Sequence, residues 1–297
     1  MKKGANKAFL TILLLAILGT GGYFAYKHFL GDTVTDTRTS FRSSGGLQVH
    51  IEERSFFSHG KKIYGTVYLP QDGTGTKPLL VYSHGMGQNA DEADRICRSA
   101  ASLGFMAYAF DFRGGSKTSR SDGDYLKMSY KTEVSDLDEV LGRLLEDPSV
   151  DKSKVFLIGH SLGALVSSVE GCDNPKKIKG MVLVAPAYNL PDVAKMYYPD
   201  YNKIADSTEI LGNVLGKRFF QDLHGSDPYK KMSKYPGDVL LIHGDMDDVV
   251  PISYSEKAAG TFKSCTFKVY PGIGHSFAGS IGTQFRSDIA DWLKERI

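Results

Sequence analysis

The chain has 297 residues, 41% of them hydrophobic and 24% charged, with a formal net charge of +2 at pH 7. That composition is ordinary for a globular protein and supplies a substantial core, in one large α/β domain or two small ones. The basic residues are scattered, which gives no case for nucleic acid. Cys97, Cys172 and Cys265 are too sparse for a disulfide framework and read as small buried hydrophobes, with a single pair left open in an oxidising compartment. No C-x-x-C and no His/Cys cluster suggests a metal.

Residues 1–30 read as a membrane anchor. Lys2, Lys3 and Lys7 precede a charge-free run from Ala8 to Tyr26. At about 1.5 Å per residue, a helix of that length matches the hydrocarbon core of a bilayer. Lys27 and His28 bound the run, and Tyr23, Phe24 and Tyr26 suit an interface. A cleaved signal peptide needs an A-x-A-like site after a shorter apolar core, and a lipoprotein needs a cysteine just after it. The expectation is therefore one uncleaved anchor with the bulk of the chain outside, secretion after cleavage being the alternative. Residues 31–46, rich in Ser, Thr, Asp and Gly, read as a flexible tether.

From residue 47 to 297 strands and helices alternate. Leu47–Phe57 and Lys62–Leu69 suggest an opening antiparallel hairpin. Short apolar strands follow at Leu79–Tyr82, Phe105–Phe110, Val155–Ile158, Met181–Val184, Val239–Ile242 and Thr266–Tyr270. Between residues 133 and 146, Val134, Leu137, Val140, Leu141, Leu144 and Leu145 recur at helical spacing. Phe285, Ile289, Trp292 and Leu293 mark a last helix. This alternation implies an α/β fold, a mostly parallel sheet covered on both faces, with ligands beyond the carboxyl ends of its strands. Residues 188–236 are too long for a simple crossover. They carry Tyr188, Tyr197, Tyr198, Tyr201, Phe219, Phe220 and Tyr229, and read as a cap inserted at the carboxyl edge.

The strand Val155–Ile158 runs directly into Gly159-His160-Ser161-Leu162-Gly163. A strand followed by G-x-S-x-G and a helix is a nucleophile elbow, whose glycines permit a sharp turn and leave the serine hydroxyl exposed. Serine needs a base to take its proton and a third group to orient that base. After Val239–Ile242 comes His243-Gly244-Asp245-Met246-Asp247-Asp248, with three competing acids. Asp247 is the candidate; Asp245 is expected to shape the turn and Asp248 to cap the next helix. After the last strand, Gly274 precedes His275, the candidate base. The other seven histidines lack such a setting; His84, His160 and His243 sit in glycine turns and suit backbone packing. Two N–H groups should receive an oxyanion, that of Leu162 and, from the loop Ser83-His84-Gly85-Met86-Gly87, that of Met86.

From residue 47 to the end the chain resembles the α/β-hydrolase superfamily. Within it, the sequence is similar to bacterial cinnamoyl/feruloyl-esterase-like and dienelactone-hydrolase-like proteins. The likeness rests on the His84-Gly85 loop, the turn Asp111-Phe112-Arg113-Gly114-Gly115, the elbow, His243-Gly244-Asp245-Met246-Asp247 with Val250-Pro251, and Gly274-His275. The resemblance implies a carboxylic-ester hydrolase with a Ser161–His275–Asp247 triad in the superfamily's chain order, a cap before the acid strand, and no metal or organic cofactor. It implies a small-molecule ester as substrate. A peptidase acting on short peptides, a lipase or thioesterase, and a non-catalytic binding module are the rival readings.

Overall fold

The computed structural model describes residues 46–71, 75–210, 212–277 and 281–297. The anchor read over 1–30 and the tether up to residue 45 lie outside the described residues. Among those described, no helix is long and apolar enough to cross a membrane.

The chain order is β1 (Val49–Glu53), β2 (Phe56–Ser58), β3 (Lys61–Ile63), β4 (Gly65–Pro70), β5 (Lys77–Ser83), α1 (Asp94–Ser102), β6 (Met106–Phe110), α2 (Tyr130–Leu144), β7 (Val150–His160), α3 (Leu162–Asp173) and β8 (Gly180–Val184). It continues with α4 (Leu190–Tyr197), β9 (Ser207–Ile210), β10 (Asn213–Gly216), α5 (Lys217–Leu223), β11 (Asp238–Gly244), α6 (Ser253–Ala259), β12 (Cys265–Tyr270) and α7 (Ile281–Lys294). Eight strands form one sheet in the order β1-β4-β6-β5-β7-β8-β11-β12. The β1–β4 and β4–β6 pairings are antiparallel, and every pairing from β6 to β12 is parallel.

Side chains alternate across this sheet, as period-2 pleating requires. Leu79, Val81, Val155, Leu157, Met181, Leu183, Val239 and Leu241 face the helices α2 and α3 and the insertion. Leu80, Tyr82, Phe156, Ile158, Val182, Val184, Leu240 and Ile242 face α1 and α7. Both faces are covered, so the parallel strands read as unbroken apolar runs. The stripe of α7 is buried, with Trp292 packed edge-on against Phe156. α2 begins at Tyr130, earlier than its apolar spacing indicates, because Ser129 and Thr132 form a reciprocal capping box there.

The opening hairpin forms as expected: β1 pairs with β4, and β2 with β3 continues the same register to the turn at residues 59–60. Two expectations are corrected. β7 begins at Val150, because Lys77 and Pro78 pair with Val150 and Asp151 before a register shift. Asp248 caps no helix: α6 starts at Ser253, with Ile252 at its cap position and no side-chain bond there. Pro251 stands between the acid turn and that helix.

Between β8 and β11 the chain forms α4, the β9–β10 hairpin and α5. Phe219, Phe220, Leu223 and Leu190 from this insertion join the cluster on the α2–α3 face. Its aromatics therefore pack into the main core as well as on one another.

Leu157 lies fully buried in the middle strand. Leu157→Ala should lower unfolding stability by about 2–5 kcal/mol. Urea denaturation would show this as a lower midpoint with an unchanged slope.

Candidate active site

β7 ends at His160 and α3 begins at Leu162, so Ser161 alone makes the turn. Its φ of 54° and ψ of −118° are an uncommon conformation for a residue with a Cβ. The neighbouring glycines make it possible. A Cβ on Gly159 would stand 2.3 Å from the Gly163 carbonyl oxygen, and a Cβ on Gly163 would stand 2.1 Å from that of Ser83. The Ser161 N–H donates to Val184 O at 2.9 Å, and Ala187 N–H donates to Ser161 O at 3.1 Å. The strained residue is held from both sides by the end of β8.

Asp247 and His275 arrive on loops that are tied together. Asp245 N–H donates to Tyr270 O at 3.2 Å, Met246 N–H to Ile273 O at 2.9 Å, and Gly272 N–H to Asp245 Oδ1 at 2.6 Å. A Cβ on Gly244 would meet Ile273 O at 2.1 Å. Asp245 thus shapes the turn, by bracing it against the loop that carries His275.

The structure brings three candidates into one line. His275 Nδ1 lies 2.7 Å from Asp247 Oδ2, and His275 Nε2 lies 2.9 Å from Ser161 Oγ. The carboxylate orders the imidazole with its proton on Nδ1, leaving Nε2 free to accept from the hydroxyl. Asp247 is almost fully buried. Its Oδ1 accepts from the Val249 and Val250 N–H groups at 2.9 and 2.8 Å, and His243 Nε2 stands 3.1 Å from Oδ2. Burial opposes ionisation, but hydrogen bonds from His243, His275 and Val250 N–H outweigh it, and the carboxyl is held well below the usual carboxylate range. Burial lowers the pKa of His275 as well, with the neighbouring His160 acting in the same direction against the opposing pull of Asp247. A neutral imidazole in this position can take the proton of the serine.

The two segments expected to supply oxyanion donors both border Ser161. Leu162 opens α3, so its N–H belongs to the first turn, where a helix leaves amides without intrahelical partners. Gly85, just before Met86, packs against the nucleophile: a Cβ there would lie 3.6 Å from Ser161 Cβ. The insertion reaches this loop. A Cβ on Gly87 would lie 3.0 Å from Asn213 Oδ1, which accepts from Tyr125 OH at 2.8 Å. Asn189, at the start of the insertion, donates to Val249 O at 3.0 Å.

The histidines set aside in glycine turns divide. His84 is buried and accepts from Phe112 N–H at 3.2 Å while its Nδ1 donates to Gly85 O, a backbone-packing role. His243 packs on Val250 O and Ser255 but also touches the Asp247 carboxylate. His160 contacts Glu92 and the backbone of His275. Glycine-turn context conceals those contacts, since they come from loops distant in sequence. A separate cavity of about 150 Å³, lined by Tyr130, Leu165, Val169, Cys172, Pro191 and Leu223 among others, borders none of the three.

The fold and this arrangement define a serine hydrolase of the α/β-hydrolase type. The family described as serine aminopeptidase, S33, matches residues 74–236, and the chain belongs to it. A monoacylglycerol lipase of Mycolicibacterium smegmatis is 25% identical over 275 residues, covering 79% of this chain and 93% of that one. A monoglyceride lipase homolog of Monkeypox virus is 30% identical over 125 residues, covering 40% of this chain and 42% of that protein. Est1E from Butyrivibrio proteoclasticus, solved with ferulic acid bound, superposes with a TM-score of 0.75 at 19% identity. That superposition covers 82% of this chain and 98% of the other.

Because the ordinary histidine value of 6.5 is lowered at His275, the active neutral form should persist into mild acid. The rate of covalent modification of Ser161 by a fluorophosphonate should rise with pH along one ionisation. Its midpoint should fall below 6.5.

Proposed function

We propose that the protein hydrolyses carboxylic esters through an acyl-enzyme. Ser161 Oγ attacks the ester carbonyl carbon while His275 Nε2 takes its proton. Asp247 holds the ring and stabilises the imidazolium that forms. The N–H groups of Met86 and Leu162 receive the oxyanion, where two such donors contribute several kcal/mol of barrier lowering. His275 returns the proton to the leaving alcohol. It then deprotonates a water molecule, which attacks the acyl carbon, and returns that proton to Ser161 Oγ as the acid departs. No step draws on a metal or organic cofactor.

The observation that carries this reading is the unbroken hydrogen-bonded line from Ser161 Oγ through His275 to a buried, multiply bonded Asp247. The insertion over residues 188–236 is the cap: Asn213 lies against the Gly87 backbone, and Asn189 holds the acid turn. Apolar groups stand exposed beside the site and on the insertion, among them Met246, Val249, Val214 and Met196. They suit an ester with an apolar acyl chain, in keeping with the lipase names of the relatives. The family description favours a second reading, an aminopeptidase. The basic flank and charge-free run of residues 1–30 support a membrane-held enzyme with its catalytic part outside.

Full-length protein should react with a fluorophosphonate probe and hydrolyse acyl esters. Ser161→Ala should abolish labelling, and His275→Ala and Asp247→Asn should each lower ester turnover by roughly a thousandfold or more. Aminoacyl amides cleaved in preference to esters would select the peptidase, and a folded wild type that is never labelled would sink both readings. Protease treatment of intact cells should cut the catalytic part of the chain; full protection there would place it on the other side of the membrane.

A further inference from the structure

Behind the catalytic imidazole lies a second acid–histidine pair that the reaction above does not use. Glu92 sits in the turn after the Gly85 loop, and His160 is the residue before the nucleophile. Glu92 Oε2 accepts from Gly85 N–H at 2.9 Å, and Glu92 Oε1 lies 2.7 Å from His160 Nδ1. His160 Nε2 lies 3.1 Å from the carbonyl oxygen of His275. Both side chains are largely buried, with 16% and 18% of their surface exposed.

The hydrogen-bond inventory leaves two arrangements. The His275 carbonyl oxygen can only accept, so His160 Nε2 carries a proton, and the Glu92–Nδ1 bond joins either a carboxylate to an imidazolium or a carboxylic acid to a neutral ring. The Gly85 N–H donated to Glu92 Oε2 favours the carboxylate and hence the ion pair. The titration directions agree. Burial opposes both charges, yet each holds the other: Glu92 is lowered and His160 raised. The His160 ring centroid lies 5.1 Å from that of His275, and Glu92 holds the ring at Nδ1.

We propose that Glu92 and His160 are positioning residues of this site, an ion pair that braces the His275 loop against the Gly85 loop and keeps a fixed positive charge beside the base. The inference rests on the hydrolase reading given above. Its mechanical part is direct. One strut joins the loop bearing Met86, the elbow bearing Ser161 and the backbone of His275. Its electrostatic part follows from proximity, since the cationic ring stands 5.1 Å from that of His275. A positive neighbour disfavours the protonated form of His275. The other groups that face His275 are Asp247 and His243, both on the acid turn and strand, with Asp247 favouring the protonated form. On the Gly85 loop, His84 accepts from the Phe112 N–H and is neutral. The strut thus acts in the same direction as His243 and against Asp247, and it keeps His275 available at lower pH than Asp247 alone would allow.

Glu92→Gln separates the two parts. Its carbonyl can still accept from Gly85 N–H, and its amide can donate to an unprotonated His160 Nδ1, while His160 Nε2–H still reaches His275 O. Every hydrogen bond survives and only the charges vanish. The experiment follows fluorophosphonate labelling of the full-length protein against pH. The limb due to His275 should move up by about half a pH unit or more in Glu92→Gln. His160→Gln should show the same displacement. In parallel, ¹⁵N-histidine spectra at neutral pH should report an imidazolium at His160 in the wild type and a neutral ring in Glu92→Gln. A labelled wild type with superimposable limbs in both variants would overturn this inference alone, as would a uniform loss of rate at all pH values without displacement. A neutral His160 in the wild-type spectrum would overturn it irrespective of activity. A folded but unlabelled wild type would instead remove the hydrolase reading on which it rests.

Discussion

Where β7 turns into α3, two backbones touch with no side chain between them. Gly163 lies so close to the Ser83 carbonyl that a Cβ would stand 2.1 Å away, and Gly159 lies equally close to Gly163 itself. This crossing is possible because β5 and β7 are neighbours in register, Ser83 opposite Gly159. It fixes where Ser161 points and brings the Gly85 loop against the serine. The remaining parts of the site are arranged around that point. β8 secures the serine backbone through Val184 and Ala187, and β11 and β12 deliver the acid and the base from the other side.

The sheet was largely legible in the sequence because buried parallel strands are apolar on both faces and bounded by glycine. Val155–Ile158 and Val239–Ile242 could hardly be anything else. The boundaries were less legible. β7 extends back to Val150 through charged residues, because pairing with Lys77 and Pro78 decides it rather than hydrophobicity. α1 and the short helices of the insertion carry weak periodicity and are stabilised by what they pack on.

At the site, glycine-containing turns at strand ends pointed to Ser161, Asp247 and His275, and these three residues do meet. The pattern worked because sharp turns at strand ends demand glycine, which local sequence can display. Glu92 has no such signature, and the glycine turns of His160 and His243 suggest backbone packing rather than their contacts with Glu92 and Asp247. Glu92 lies in an ordinary polar turn, and its partners are set by β5 lying beside β7 and β12 lying at the far edge. Asp248 shows the converse error: a residue suited to capping was assigned a helix that begins only after Pro251. The adjacent Asp247 meets the turn's N–H groups, those of Val249 and Val250. The acid that orients the base is also the acid that closes its own turn.

Burial of charged groups around the serine is therefore extensive but paired. Asp247 has four partners, and Glu92 and His160 neutralise each other. Pairing of this kind contributes little net stability, since desolvation consumes most of the Coulomb gain. Its value lies in directionality, because each atom has one place to be.

The hydrogen bonds between the acid turn and the loop after β12 carry a consequence for how the molecule tolerates motion. Asp245, Met246 and Gly244 lock onto residues 270 to 273, so Asp247 and His275 travel as one body. A breathing movement at the carboxyl edge that broke the His160 Nε2 bond to His275 O would open the gap between His275 and Ser161, not the one between His275 and Asp247. The imidazole would keep its tautomer throughout such an excursion. On return it would meet the serine already correctly protonated, with no search through ring flips or proton exchange.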